Sequence, residues 1–445
     1  MPLAFFPSPT LASLCGTGLD TSRSQSLSLI PKPGKPAYDT PKAFRPIVLL
    51  NTLGKLIEKM IARRLQFDAV KHSVLHPNQL GGISQRSIEN AGLFFTHLVH
   101  SSWAKGLKTS VVAFDIAQFF PSLNHSMLTV ILRHSGFADC VVDFFSDYLI
   151  GRSTQYAWNS FLSHACDADV DVGQSSALSS ILSALYIAPL LHLFKRRAQA
   201  LNLDTSTLSY VDNGLLVSQE RTYNKTLPEL TNSYSIVSDL MAFFGLVMVY
   251  DKSEIFHFSR AHNNSNPELD LSAIGASILK PKTYWRYLGF YFDRRLSFKE
   301  HVRFYSTKAL TTIKAMGMLD NSSRGFLPFQ KRLLYWSCVV PIATYGFRLW
   351  YFSGAPTKAQ VSLLATMQRK AALWILGAFR TSPTSGIEAL AGLIPIYLHL
   401  KKLAKRFCLR AAILPSQHAL LSLLTARNSK SAHPHPEYSV EEPSS

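Results

Sequence analysis

Two β-prone runs, far apart in the chain and each carrying an acid, constrain this fold more than any other feature. The first, "KTSVVAFDIAQFF" (108–120), holds Asp115, and the second, "LSYVDNGLLVS" (208–218), holds Asp212. Between them, periodicity gives two helices. One ends near Gly136, and the other, "ADCVVDFFSDYLI", ends at Gly151, glycine being a usual helix terminator. "STQYAWN" then reads as a strand, and a long helix starts near residue 176. This strand–helix–helix–strand order fits an α/β (α+β) unit, with an antiparallel sheet covered by helices on one face. Within the second run, Asn213-Gly214 between apolar flanks is a strong hairpin signal, because both residues tolerate positive φ.

The flanking segments are read in the same way. Residues 1–30 are rich in Ser, Pro and Thr, which predicts a disordered tail. "PKPGKPAYDTPKAFRP" (31–46) is a Pro- and Lys-rich loop, and the spacing predicts helices over 47–65 and 88–106. "LTNSYSIVSDLMAFFG" is a helix closed by Gly245, "LVMVYDKSEIFHFSR" is extended, and "YWRYLGFYFD" (284–293) is a strand or tight hairpin. Beyond about residue 298 the pattern is helical, until a polar tail expected to be disordered.

Charge narrows the partners. Lys and Arg total 46 against 28 Asp and Glu, a formal +18, which points to a polyanion, since neutralising phosphates releases counterions. The five cysteines are scattered without a C-x-x-C pair, which argues against zinc and disulfides and fits a reducing, intracellular compartment. The N-terminus does not read as a signal peptide. "SSALSSILSALYIAPLLHLF" (175–194) carries no formal charge and is long enough to span a bilayer. Its serines and Pro189 favour a buried helix instead, so no membrane is expected.

If the two β-prone runs pair, Asp115 and Asp212 come together. Carboxylates on adjacent strand ends can hold Mg²⁺, a hard cation that takes oxygen ligands and substrate phosphates. Taken singly, Asp115 is more often a strand-end or helix-capping acid.

Seven segments, in order, resemble the successive blocks of a reverse transcriptase of the LINE-type (non-LTR) retrotransposon class. They are "AFRPIVLLNTLGKLIEKMIARRL", "HPNQLGGISQRSIENA", "VVAFDIAQFFPSLNH", "VGQSSALSSILSALYIAP", "YVDNGLL", "DKSEIFHF" and "YWRYLGFYFD", covering about residues 40–300. A further stretch at 367–396 resembles the segment that follows the polymerase in such elements. The resemblance implies a right-hand polymerase with fingers, an antiparallel-sheet palm and a helical thumb. Its expected partners are an RNA template, a DNA primer and dNTPs, with no protein partner inferable. Its expected cofactor is a pair of Mg²⁺ ions, with Mn²⁺ able to stand in. The implied domains are fingers at 31–107, palm with remaining finger elements at 108–297, and thumb and post-polymerase region at 298–396. A C-terminal helix and tail would follow at 397–445. An element of this class would act in the nucleus.

The resemblance also assigns residues. Asp115 matches the first metal-binding aspartate, the carbonyl of Ile116 a supplementary ligand, and Asp212 the first aspartate of a Y-x-D-D turn. Phe120 matches the bulky residue that crowds a ribose 2′-OH, against the plainer reading of core packing beside Phe119. Gln174 matches a glutamine beside nucleotide and template. Arg45 matches a fingers arginine that grips the triphosphate, for which a planar guanidinium is suited. Lys252 matches a lysine that protonates or neutralises the leaving pyrophosphate. Tyr287, Leu288 and Gly289 fall in the block that holds the primer end.

Three positions depart from that pattern. The turn reads Tyr210-Val211-Asp212-Asn213, so its second carboxylate is an amide. The usual Gln-Gly is Gln174-Ser175, and a usual proline is Ser180. The expectation is a polymerase core with impaired activity, cut from a larger protein that also carried nuclease domains, or a binding remnant that grips nucleic acid without catalysis.

Overall fold

The computed structural model describes residues 24–40, 43–49, 52–151, 153–158, 161–167, 172–173, 176–261, 265–275, 277–318, 325–352, 355 and 357–414. The chain forms two compact units, one of residues 1–87, 110–255 and 267–280, the other of 88–109, 256–266 and 281–445.

In the first unit, β1 (Ser24–Pro31) pairs antiparallel with β2 (Phe44–Leu49) and parallel with β4 (Ser153–Trp158). Two short strands, β5 (Phe161–Leu162) and β6 (Cys166–Asp167), also pair with β4. A second sheet has the order β7 (Thr205–Tyr210), β8 (Asn213–Glu220), β3 (Lys108–Asp115), β9 (Glu254–Phe258). The β7–β8 hairpin is antiparallel, with Tyr210 opposite Asn213.

The core of this unit gathers around the helix α5 (Ser179–Ala200). Leu182, Leu185, Tyr186, Leu190, Leu191 and Phe194 are all buried along it. They pack with Leu132 of α3 (His125–His134), Phe145 of α4 (Asp139–Leu149) and Tyr234 of α6 (Tyr223–Phe243). Fully burying one such side chain is worth about 1.5–3 kcal/mol, so α5 gains from being apolar on nearly every face. That burial accounts for the uncharged run at 175–194. Among the described residues no helix is long and apolar enough to cross a membrane.

The second unit pairs α2 (Ile88–Ala104) with an aromatic core. Phe95 meets Phe258, Trp285 and Phe292 at ring-centroid distances of 5.3, 5.7 and 5.4 Å. Trp285 and Phe292 face each other across the hairpin of β10 (Tyr284–Tyr287) and β11 (Phe290–Asp293). The helices that follow are α7 (Lys299–Gly317) and α8 (Pro328–Leu334), which runs through a π turn (Tyr335–Val339) into α9 (Val340–Ala343). Then come α10 (Phe347–Trp350), α11 (Lys358–Leu376), α12 (Thr384–Leu390) and α13 (Ile396–Ala412).

The structure differs from the sequence reading in three places. Ser24–Ile30, expected within a disordered tail, lie in β1, whose main-chain partners outweigh a polar composition; residues 1–23 lie outside the described residues. The helix expected from residue 47 begins at Thr52 as α1 (Thr52–Lys71), because Phe44–Leu49 pair with β1 and Pro46 keeps Arg45 extended. Asn213-Gly214 is not the hairpin turn: Val211 and Asp212 make it, and Asn213 opens β8. Residues 415–445, where the tail was expected, lie outside the described residues.

Candidate active site

The backbone brings Asp115 and Asp212 side by side. β3 ends at Asp115, and the amide of the next residue, Ile116, donates to the carbonyl of Asp212 at 3.0 Å. On the other flank Val249 N donates to Asp115 O at 2.9 Å, and Ala117 N to Val247 O at 2.8 Å. Residues 115–117 are thus gripped between the 212 turn and the 247–249 segment, with Ile116 opposite Met248 in an antiparallel bridge.

The turn itself is strained. Val211 has φ 57°, the pattern of a II′ hairpin turn whose first corner favours glycine. A β-branched residue there is an outlier, and such conformations cost about 1–3 kcal/mol. They persist only where neighbours over-determine them. Here Leu80 N donates to Ser209 O at 2.8 Å and Ser209 N to Asn78 O at 3.1 Å, so the "NQLGG" segment lies along β7. A Cβ on Gly81 would stand 3.0 Å from both Tyr210 and Val211, so the segment needs glycine to approach the turn this closely.

Electrostatics set the state of the two acids. Burial pushes the Asp212 carboxyl above its ordinary value. Its own backbone N–H opposes the rise, the charge of Asp115 adds to it, and the Asn213 amide and Lys252 oppose it. The Asn213 Nδ2 donates to Asp212 Oδ1 at 2.9 Å. Lys252, in the 3₁₀ turn Tyr250–Lys252, donates from Nζ to Asp115 Oδ2.

Cations also gather at the mouth. Lys32, half-buried after β1, has its ammonium pulled down by burial and by the charges of Lys35, Arg45 and Lys252. Arg45 itself is exposed on β2. The sequence reading singled out Arg45 but not Lys32. The signal for Lys32 was available in "PKPGK" (31–35), where turn residues carry two lysines in the segment between β1 and β2.

Phe120 is half-exposed in the 3₁₀ turn Phe120–Ser122, whereas its neighbour Phe119 is 4% exposed. The core-packing role therefore falls to Phe119. The carbonyl of Phe120 accepts from Val172 N at 3.3 Å. Gln174 and Ser175 lie outside the described residues. Ser180 lies in the first turn of α5, where its carbonyl accepts from Ser183 Oγ at 2.9 Å.

Tyr287, Leu288 and Gly289 belong to the second unit, at the β10–β11 turn. Leu288 and Gly289 both have positive φ, 49° and 81°. Tyr345 Oη donates to Leu288 O at 2.9 Å and Tyr305 Oη to Gly289 O at 2.8 Å, which pins the turn by its carbonyls.

A carboxyl such as Asp212, whose ionisation is opposed by burial and by a neighbouring acid, is what a divalent cation relieves, and oxygen donors suit Mg²⁺. Asp115, Asp212 and the main chain at Ile116 fit such an ion. The amide at Asn213 leaves the set one negative charge short of the pattern the sequence resembles. Among the described residues no three or more His, Cys, Asp and Glu side chains gather as metal ligands.

The family model "Reverse transcriptase (RNA-dependent DNA polymerase)" matches residues 30–292. The chain is 24% identical over 353 residues to "Probable RNA-directed DNA polymerase from transposon BS" of Drosophila melanogaster, covering 78% of this chain and 37% of that protein. It is 23% identical over 352 residues to the corresponding protein from transposon X-element of the same organism, covering 79% and 37%. The chain therefore spans less than two fifths of the length of these relatives. Among solved structures, telomerase from Candida albicans with a telomeric RNA fragment aligns at TM-score 0.44 and 11% identity, over 93% of this chain and 67% of that one. The RNA-dependent RNA polymerase of a human picobirnavirus aligns at TM-score 0.42 and 13% identity, over 91% and 64%.

Proposed function

This chain belongs to the reverse transcriptase (RNA-dependent DNA polymerase) family, of the LINE-type kind, and from that premise we propose that it is an RNA-templated DNA polymerase domain weakened at its own metal turn. The observation that carries the reading is the hydrogen bond from Asn213 Nδ2 to Asp212 Oδ1. An amide stands where a second carboxylate would, and it occupies an oxygen of the first.

In this reading residues 31–107 are fingers, 108–297 palm with remaining finger elements, and 298–396 thumb and post-polymerase region. Asp115, the Ile116 carbonyl and Asp212 would hold two Mg²⁺ ions, which when bound supply an activated primer 3′-OH and stabilise the leaving pyrophosphate. Arg45, with Lys32, grips the triphosphate. Phe120, half-exposed beside the site, crowds a ribose 2′-OH and selects dNTP. Gln174, outside the described residues, would take the role beside nucleotide and template that the resemblance implies. Lys252 leaves Asp115 and protonates or neutralises pyrophosphate. Tyr287, Leu288 and Gly289 hold the primer end.

One charge against a divalent cation at ~4 Å is worth several kcal/mol gross at an effective dielectric of ~20, and each ~1.4 kcal/mol of barrier is tenfold in rate. Primer extension on an RNA template tests the reading. The chain should extend weakly or not at all, Asn213→Asp should extend at least about tenfold faster, and Asp115→Ala should be silent. Vigorous extension that Asn213→Asp leaves unchanged overturns the impairment. Undiminished extension by Asp115→Ala overturns the site.

A second reading is a nucleic-acid-binding remnant. It is favoured by the pairing of Lys252 with Asp115, which neutralises the site from within, and by the +18 charge. Salt-dependent retention of primer–template, with no incorporation even by Asn213→Asp, is its signature.

A further inference from the structure

Glu58 is a buried carboxylate to which the catalytic reading gives no part. It sits on α1 along the same inward stripe as Gly54, Leu65 and Ala69, and is 2% exposed. No cation meets it among the contacts described. Its Oε1 accepts from Tyr148 Oη at 2.5 Å, and its Oε2 accepts from Ser176 Oγ at 2.6 Å and from Ala177 N at 3.2 Å. A buried carboxylate is costly unless hydrogen-bonded, so three donors on one group mark a specific arrangement.

The donors show what is being held. Ser176 and Ala177 immediately precede α5, so the carboxylate stands at the positive end of a 22-residue helix. The same serine is fixed twice more: its Oγ accepts from Leu178 N at 3.1 Å, and its carbonyl accepts from Ser179 Oγ at 2.6 Å. Upstream, Val172 N donates to the carbonyl of Phe120 at 3.3 Å. Ser176 N donates to Gly173 O at 3.0 Å, so Ser176, held by Glu58, is linked to the Val172–Gly173 pair, held by Phe120.

We propose that Glu58 is a positioning residue for the incoming nucleotide. It acts through Ser176 and Ala177, and through the bond from Ser176 N to Gly173 O, to hold Val172 and Gly173 against Phe120, the residue read above as meeting the sugar. This inference rests on the polymerase reading. Glu58 touches neither substrate nor metal; it fixes the chain beside the nucleotide from below. Its single Oε2 accepts from a hydroxyl and a main-chain amide at once, which an apolar side chain at this position could not do.

The test uses the full chain on an RNA template with a DNA primer ended by a dideoxynucleotide, so that dNTP binding is read without chemistry. Hydrogen exchange is followed on peptides covering 172–182. Glu58→Ala should speed exchange there and weaken binding of the matching dNTP by about tenfold, the loss of one charge-assisted hydrogen bond. Glu58→Gln keeps a carbonyl acceptor and should restore part of the affinity. Tyr148→Phe, which spares the bonds to Ser176 and Ala177, should have the smallest effect. Primer–template affinity should change little in any of them.

Unchanged exchange at 172–182 overturns the proposal. So does acceleration spread equally over the β7–β8 hairpin and α6, which is general loosening, and so does a loosened stretch with unaltered dNTP affinity. Intact dNTP binding that ignores Glu58 defeats this inference alone. Retention of primer–template with no dNTP binding in any variant, Asn213→Asp included, defeats the polymerase reading and this one with it.

Discussion

Phe114 lies flat against Gly214: a Cβ built on the glycine would overlap the phenylalanine ring. The two residues sit on adjacent strands, Phe114 next to Asp115 at the end of β3 and Gly214, on β8, two residues after Asp212. The ring fills the space that a side chain at 214 would take.

Gly214→Ala should therefore destabilise the protein by about 1–3 kcal/mol, the usual range for overpacking. Urea denaturation reads the loss. Phe114→Leu, which clears part of the ring, should recover some of it in the double variant, since residues in contact do not add.

The Asp212 carboxyl predicts a pH dependence. Its value in the fold lies above its ordinary one, chiefly through burial. The folded state then holds that proton more tightly than the unfolded chain does. Its contribution to stability is greatest below the ordinary aspartate range and falls as pH rises through the folded value. In buffer without divalent cations, Asp212→Asn should raise the urea midpoint near neutral pH and leave it unchanged in acid. Adding Mg²⁺ should narrow the neutral-pH gap, because a cation favours the ionised carboxylate.

His301 predicts the opposite slope in the second unit. It is 1% exposed, its Nε2 meets the carbonyl of Tyr345 at 2.8 Å, and its Nδ1 accepts from Tyr291 N at 3.3 Å. Those partners select the neutral ring with the proton on Nε2. Burial lowers its value from 6.5 to about 4, although the bond to Tyr345 opposes the shift. The stabilisation is present above the unfolded value and is lost as pH falls through the folded one. It amounts to roughly 3 kcal/mol. The stability difference between the wild type and His301→Gln, measured by urea denaturation at several pH values, should shrink steadily between neutral pH and about pH 4.

Gln368 predicts a stability loss without loss of any charge. It is fully buried on α11; its Nε2 donates to Glu388 Oε1 at 2.8 Å and to Ile394 O at 3.1 Å, and its Oε1 accepts from Tyr335 Oη at 3.0 Å. Gln368→Leu would strand the buried Glu388 carboxyl and the Tyr335 hydroxyl. A loss of about 2–4 kcal/mol is expected in denaturant unfolding. Restoring stability by adding Glu388→Gln to the variant would locate the cost at the stranded charge.

Much of this was legible in the chain. The helices ending at Gly136, Gly151 and Gly245 follow from apolar spacing and a residue that accepts positive φ, and all three glycines have it. Glu58 was not legible, because the inward face of α1 carries Glu58 and Asp68 while the apolar Leu53, Leu56 and Met60 are exposed. The turn was misread for a physical reason. Asn-Gly is the better turn former locally, but Gly214 is needed beneath Phe114, and a steric demand from another strand outranks a local preference.

What the sequence determined by itself was the alternation of elements and the identity of the two acids, because both depend on residue types and on spacing within a few turns of chain. It also determined the family, through ordered blocks. Only the tertiary structure decided that Asp115 and Asp212 lie side by side, that Asn213 binds its neighbour's carboxyl, and that β1 forms from a polar, Ser-rich stretch. Those outcomes rest on main-chain pairing and burial between residues far apart in sequence, and no local pattern encodes them.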